Sequence, residues 1–213
     1  MKINGVIFDL DGVICFTDEY HYLSWKAIAD SEGIYFDRKI NNRLRGVSRM
    51  TSLEIILEKA NKTYSEEEKI ALATKKNEIY KTYLTKMSPK DVSEDVLYTL
   101  KALKEKGIRI AIGSSSKNTK LILKQIGLLD AFDEIADGND ITHSKPDPEV
   151  FLCAAKKIKE KPTNCIVVED AYAGIDAANS GHFISVAIGD ATNYEKAQYK
   201  IKKISDILKF INK

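Results

Sequence analysis

Five short runs of apolar and β-branched residues, at positions 3–9, 108–112, 134–136, 165–169 and 184–188, constrain this chain more than any other feature. Each has the length of a strand buried on both faces, and helical periods at 93–106, 117–126, 147–159 and 171–180 separate the later ones. Gly107, Gly127 and Gly181 stand where three of those helices should stop. Strand alternating with helix predicts an α/β fold built on a parallel sheet with right-handed crossovers. Any ligand site of such a sheet lies at the carboxyl ends of its strands.

The stretch 18–87 breaks this rhythm. Periods of 3.6 residues run through 20–31, 48–60 and 65–84 with no strand between them, so an inserted helical unit is expected over 17–87, with the sheet domain formed by 1–16 and 88–213. The two connections, 14–17 and 86–91, would act as a double hinge, letting the helical unit open for substrate and close against water. At 213 residues and 44% hydrophobic content the chain has ample core for this arrangement. Its formal net charge of +2 gives no reason to expect a nucleic acid as partner. Cys15, Cys153 and Cys165 lack CxxC spacing, which suits reduced thiols and a cytoplasmic location. No apolar run approaches the ~20 residues that a membrane span requires. A small-molecule substrate and a monomeric chain are the expectation.

Four groups of polar residues fall at the predicted strand ends. Asp9 and Asp11, in Asp-Leu-Asp-Gly, are two apart in an extended chain and so project the same way, while Gly12 allows a tight turn. An ionised carboxylate can attack phosphorus without a base if a cation reduces the repulsion. Taken alone, the pair reads equally well as solvated loop acids. Ser114, Ser115 and Ser116 precede the helix starting near Lys117, where hydroxyls and free amide N–H groups suit a phosphate or simply cap the helix. Lys145 lies in Ser-Lys-Pro-Asp-Pro, a stiffened segment that can hold a cation beside a transferring phosphoryl group. Glu169 and Asp170 offer the hard oxygen ligands that Mg²⁺ prefers, or an acidic cap. A nucleophile, hydroxyls, a cation and metal ligands at four different strand ends imply one phosphoryl-transfer site.

These four groups, in this order along the whole chain, resemble the motifs of the haloacid dehalogenase superfamily. The resemblance implies a Rossmann-like core, a helical cap inserted after the first motif, an aspartyl-phosphate intermediate and one Mg²⁺ per active site. It assigns Asp9 as nucleophile, Asp11 as general acid/base, Ser114 and Lys145 as further catalytic groups, and Asp9, the Asp11 carbonyl and Asp170 as metal contacts with Glu169 close by. An acid at position 11 also marks the phosphotransferase version of the motif rather than the dehalogenase one.

Within the superfamily the cap resembles that of the β-phosphoglucomutase family. On that likeness Thr17, Glu19, Tyr20, His21, Trp25, Arg45, Gly46, Val47, Ser48, Arg49, Ser52, Lys76 and Asn77 face substrate, joined by Ser114, Ser115, Ser116, Lys117 and Asn118 from the core. Interconversion of β-D-glucose 1-phosphate and D-glucose 6-phosphate through glucose 1,6-bisphosphate is then the expected reaction. Arg49 suits a second phosphate physically, because a guanidinium grips phosphate through two N–H groups, and residues 48–51 offer N–H donors at a helix start. The bland readings are a surface arginine, a core tryptophan and a satisfied histidine. Two departures stand out. Phe16-Thr17 replaces the usual acid and hydroxyl after the first motif, and Asp147 adds an acid near Lys145 that either weakens its pull on phosphate or caps a helix.

The nearest rival is a sugar-phosphate phosphatase on the same fold, in which water takes the phosphoryl group. A phosphonate hydrolase using a cap lysine is a weaker one. A phosphorylated signalling receiver would be shorter and uncapped, and a non-catalytic sugar-phosphate binder has no need of both Asp9 and Asp11.

Overall fold

The computed structural model describes residues 2–211. Six parallel strands form one sheet in the order β3-β2-β1-β4-β5-β6. They are β1 (Gly5–Phe8), β2 (Arg109–Gly113), β3 (Glu134–Ala136), β4 (Cys165–Glu169), β5 (Ile184–Ala187) and β6 (Tyr199–Lys200). Five of them fall on the five apolar runs. The sixth has only two residues, both exposed, and carries no run that a pattern could show. β1 is central because it is the most completely apolar strand. Val6 and Phe8 face one layer and Ile7 the other, as a two-residue period requires.

Helices cover both faces. Helices α5 (Glu94–Glu105) and α6 (Thr119–Gln125) bury Val96, Leu100, Leu103, Ile122 and Leu123 with Val6, Phe8, Ile110, Ile112 and Val168. On the other face α7 (Glu149–Lys157) and α8 (Tyr172–Ser180) bury Val150, Phe151, Ala154, Ala177 and Ala178 with Ile7, Ala111 and Val167. A short α9 (Leu208–Ile211) closes the described chain.

Between β1 and α5 come α1 (Asp18–Ser31), α2 (Arg38–Asn42), α3 (Arg49–Leu57) and α4 (Glu66–Leu84). They surround a separate apolar cluster of Trp25, Ile28, Phe36, Leu53, Ile56 and Ala73. The helix starts are chemically marked: Ser48 accepts from Thr51 N at 3.1 Å, and Ser65 and Glu68 form a reciprocal capping box. Helix α2 escaped the sequence reading because five residues are too few to display a period; Asp37 caps it by accepting from Ile40 N at 2.8 Å. No helix among the described residues is long and apolar enough to cross a membrane.

Gly107 and Gly127 end their helices with positive φ, at 70° and 73°. Gly181 does not: its φ is −82°, and the left-handed residue is the next one, His182, at 62°. Glycine is needed at 181 for space, since a Cβ there would lie 2.7 Å from the Phe183 ring. Gly113 is under the same constraint at the end of β2, where a Cβ would meet Phe151 at 2.6 Å and Ile7 at 3.0 Å. Gly113→Ala should therefore overpack the α7 face and lower stability by about 1–3 kcal/mol. Thermal unfolding should show this as a midpoint roughly 2–10 °C lower, and an unchanged midpoint would refute the packing argument.

Candidate active site

The register of the central strands assembles the site. Phe8 pairs with Ile112 and with Val168, so the residues that follow, Asp9, Gly113–Ser114 and Glu169–Asp170, leave the sheet side by side. Asp9 N still donates to Val168 O at 3.0 Å, which fixes the nearby carboxylate against β4. Lys145 arrives from the loop before α7. Its Nζ donates to Asp9 Oδ1 at 2.5 Å and to Glu169 Oε2 at 2.8 Å, and lies 4.6 Å from the centre of the Phe151 ring. The side chain is 2% exposed. Burial alone disfavours its ammonium, yet the Asp9 and Glu169 carboxylates outweigh that and push its pKa above the usual lysine range.

Asp9, Glu169 and Asp170 bring carboxylate oxygens within 4.8 Å of one another, a set able to hold a metal ion. Burial, then repulsion among these acids, raises the pKa of Asp170; burial raises that of Asp9 too, against the pull of Lys145. One ammonium does not balance this many carboxylates, and a hard divalent cation would relieve the excess. The donors therefore fit such an ion. Glu169 is already engaged: besides Lys145 it accepts from Asp170 N at 3.2 Å and Ala171 N at 3.0 Å through Oε1. Gly12 and Gly174 leave room for the acids, since a Cβ on either would lie about 2 Å from Asp170 or Glu169 respectively.

Asp11 stands beside Asp9 and hydrogen-bonds Thr17 Oγ1, which in turn accepts from Tyr80 OH at 2.9 Å. Burial lifts the Asp11 pKa to about 6 against the lowering effect of the Thr17 bond. His21 approaches it from α1, with Nε2 3.9 Å from Asp11 Oδ2. On the other side of the ring, Nδ1 lies 2.8 Å from Lys76 Nζ. When Lys76 carries its proton it donates there, so that Nδ1 accepts and the ring proton is on Nε2, facing Asp11. Burial, with Lys76 and Arg49 nearby, holds the imidazole neutral by lowering its pKa well below the ordinary value.

These groups line a cleft of about 460 Å³ between the sheet edge and α1–α4. It contains Asp9, Asp11, His21, Trp25, Arg45, Gly46, Val47, Ser48, Arg49, Ser52, Lys76, Asn77, Ser114, Ser115, Ser116, Lys117, Asn118, Lys145, Glu169 and Asp170. Thr17, Glu19 and Tyr20 are not part of the lining: Thr17 is 1% exposed with its hydroxyl on Asp11, Glu19 pairs with Arg38, and Tyr20 stacks on Tyr83. Trp25 satisfies both of its readings, packing in the helical core and lining the cleft. Neighbouring Asn77, buried, accepts from Asn118 Nδ2 at 2.9 Å and so joins α4 to the sheet domain.

Some of the amide N–H groups at these helix starts are already taken. Ser116 N donates to Ser114 Oγ and Asn118 N to Ser116 Oγ, both at 3.2 Å, and α6 begins two residues later than its sequence suggested. Thr51 N is likewise taken by Ser48 Oγ, and Ser52 N by Ser48 O. Serine hydroxyls therefore occupy part of the donor set at both helix starts. Asp147 resolves as a cap: it is exposed and accepts from Glu149 N at 2.9 Å. Phe16 is 74% exposed and touches none of the site chemistry described above.

Sequence reasoning missed Asp18 and Asp190, which form an ion-pair cluster with Arg45. Arg45 was expected to face substrate, and it lines the cleft with its guanidinium on these two acids. Asp190 follows β5 with no motif around it.

Residues 3–182 match the haloacid dehalogenase-like hydrolase family. The chain is 40% identical over 207 residues to a β-phosphoglucomutase of Bacillus subtilis, covering 96% of this chain and 92% of that protein. It is 28% identical to a phosphorylated carbohydrates phosphatase of Thermotoga maritima, over 84% of this chain and 81% of that one. Among solved structures, a β-phosphoglucomutase from Clostridium difficile superposes with a TM-score of 0.92 at 40% identity, covering 98% of this chain and 95% of the other. With four strand-end motifs meeting in one cleft and a family match over most of its length, the chain belongs to the haloacid dehalogenase-like hydrolases.

Proposed function

We propose that the chain is a β-phosphoglucomutase, interconverting β-D-glucose 1-phosphate and D-glucose 6-phosphate through glucose 1,6-bisphosphate. The observation that carries this reading is the opposite charge of the two ends of the cleft. At the sheet end, acids surround Lys145. Toward the helices, Arg49 lines the cleft without an ion pair among the described residues, and Lys76 is buried against His21, Trp25 and Tyr80. Burial, then the charge of Arg49, lowers the Lys76 pKa to about 7. Two crowded cations with no carboxylate in contact suit a second phosphate. A phosphatase needs only one phosphate site; a mutase needs two.

In this reading α1–α4 form a cap, hinged near 14–17 and 86–91, that closes the cleft. Phospho-Asp9 gives its phosphoryl group to the 6-hydroxyl of glucose 1-phosphate. The O6–P bond forms, the Asp9–P bond breaks, and Asp11 takes the hydroxyl proton. The bisphosphate then reorients. Asp9 attacks the phosphorus on O1, that O1–P bond breaks, and Asp11 returns its proton to O1, leaving glucose 6-phosphate. Lys145 stays on Asp9 and screens the charge of the transferring group, with Ser114 beside it. Arg49, with Ser116, Lys117 and Asn118 from the core, holds the phosphate that does not react. Val47, Ser48, Ser52 and Trp25 bound the sugar. Mg²⁺ would be held by Asp9, Asp170 and the Asp11 carbonyl with Glu169 close by, and would supply charge neutralisation to the transferring group.

Asp9→Asn should abolish turnover, measured as glucose 6-phosphate formed from β-glucose 1-phosphate with Mg²⁺ and a trace of bisphosphate. Free phosphate followed in the same assay separates the mutase from the phosphatase: stoichiometric phosphate without isomerisation would sink the proposal. Arg49→Ala should reduce kcat/KM for isomerisation about 10²-fold, roughly the 3 kcal/mol of a lost buried charge contact. Phosphate release from a small ester with a single phosphate should be preserved. Equal loss of both would count against a second phosphate site.

Lys76 also makes a stability prediction. Its folded pKa of about 7 lies below the model-peptide value of 10.5, so between those pH values the unfolded chain holds a proton the native state has released. Stability then rises with pH across that window, and at or below pH 7 the native state carries the full cost of burying the ammonium. Lys76→Met should accordingly raise the melting temperature of the ligand-free protein most near pH 6–7, with the gain shrinking toward pH 10. A gain independent of pH would contradict this.

A further inference from the structure

Arg45 fastens the helical unit to the sheet domain at the mouth of the cleft. Its Nη1 donates to Asp190 Oδ2 at 2.5 Å, and its Nη2 hydrogen-bonds Asp18 at the start of α1. Asp190 lies in the 3₁₀ turn Gly189–Asn193 after β5. That turn is anchored on the acidic strand end: Ala191 N donates to Asp170 O at 3.0 Å, and Ile188 N just before it to Glu169 O at 2.9 Å. Next to Arg45, Gly46 takes a φ of 74° and rests over Ala171 and Ala173, which lie 3.4 and 3.5 Å from where its Cβ would stand. The same loop continues through Val47 and Ser48 to Arg49. One guanidinium thus spans three segments: the beginning of the helical unit, the loop carrying Arg49, and the turn beside Asp170.

Among the described residues, two side-chain hydrogen bonds from the helical unit reach the far segments of the sheet domain, Arg45–Asp190 and Asn77–Asn118, and they differ in exposure. Asn77–Asn118 is buried. The Asp190 side chain is 77% exposed, so its bond to Arg45 is the one that salt can reach. We propose that Asp190 is a positioning residue which, through Arg45, latches the helical unit closed over Asp9 and sets the closed fraction according to ionic strength. This rests on the cap reading given above and deepens it. An exposed ion pair moves an equilibrium by a few-fold at most, and screening weakens it as the Debye length falls from about 10 Å at 0.1 M salt to about 3 Å at 1 M.

Closure has opposite consequences for two kinds of substrate. A sugar phosphate gains from it, because the closed cleft presents Arg49 and excludes water. An aryl phosphate with one phosphate has nothing to offer Arg49 and gains only from an open mouth. Asp190→Asn should therefore raise kcat/KM for p-nitrophenyl phosphate about 2–5-fold while lowering kcat/KM for β-glucose 1-phosphate by a similar factor. Wild-type protein in 0.5 M NaCl should move the same way, the variant should respond less to salt, and Asp190→Glu should restore wild-type behaviour. A merely destabilising substitution lowers both rates. The latch is overturned if the aryl phosphate rate fails to rise in Asp190→Asn, whether both rates fall together or neither moves. The aryl phosphate arm reads the latch even if the wild-type chain does not isomerise glucose 1-phosphate, so the two proposals fail separately.

Discussion

Everything at the sheet edge depends on one buried ammonium. Lys145 joins Asp9, from the end of β1, to Glu169, from the end of β4, at 2.5 and 2.8 Å. Burial and the nearby Glu169 carboxylate raise the pKa of Asp9, and the shared ammonium opposes that rise. Removing one member of such a set leaves the others uncompensated, a loss of about 3–5 kcal/mol in comparable buried pairs. The loop before α7, the turn after β4 and the central strand are consequently interdependent, although they are far apart in sequence.

The chemistry inherits that interdependence. Asp9 is held in one orientation by Lys145 and by its own N–H on Val168, while Asp11, two residues on, is governed by a different set of neighbours, Thr17, Tyr80 and His21. Adjacent acids thereby acquire different environments, which is how a nucleophile and a proton carrier can be drawn from the same short motif. The partners of Asp11 come from Thr17 and helices α1 and α4, whereas those of Asp9 come from β4 and the loop before α7.

How much of this was legible in the sequence varied with the kind of signal. Strands β1 to β5 were visible because a doubly covered parallel strand must be apolar throughout, and the strand-end motifs were visible because their residue types are costly to place elsewhere. β6 and α2 were not, since two and five residues cannot carry a pattern. Thr17, expected to face substrate, is buried with its hydroxyl on Asp11 and off the cleft lining; an extended chain reveals spacing, not depth. Hydroxyl groups were the other blind spot. Ser48, Ser114 and Ser116 turn inward onto backbone N–H groups, and a residue-level reading cannot tell an inward hydroxyl from one left for a ligand. Asp190 was invisible for a simpler reason, because its partner lies 145 residues away.

Trp25 is the sole tryptophan of the chain, and its ring lies 5.0 Å from the Lys76 ammonium at the cationic end of the cleft. Indole emission is sensitive to a charge held over the ring face. The protein's tryptophan emission, excited apart from that of its ten tyrosines, therefore originates at a single point on the cleft lining, so that occupancy there can be followed optically without attaching a label.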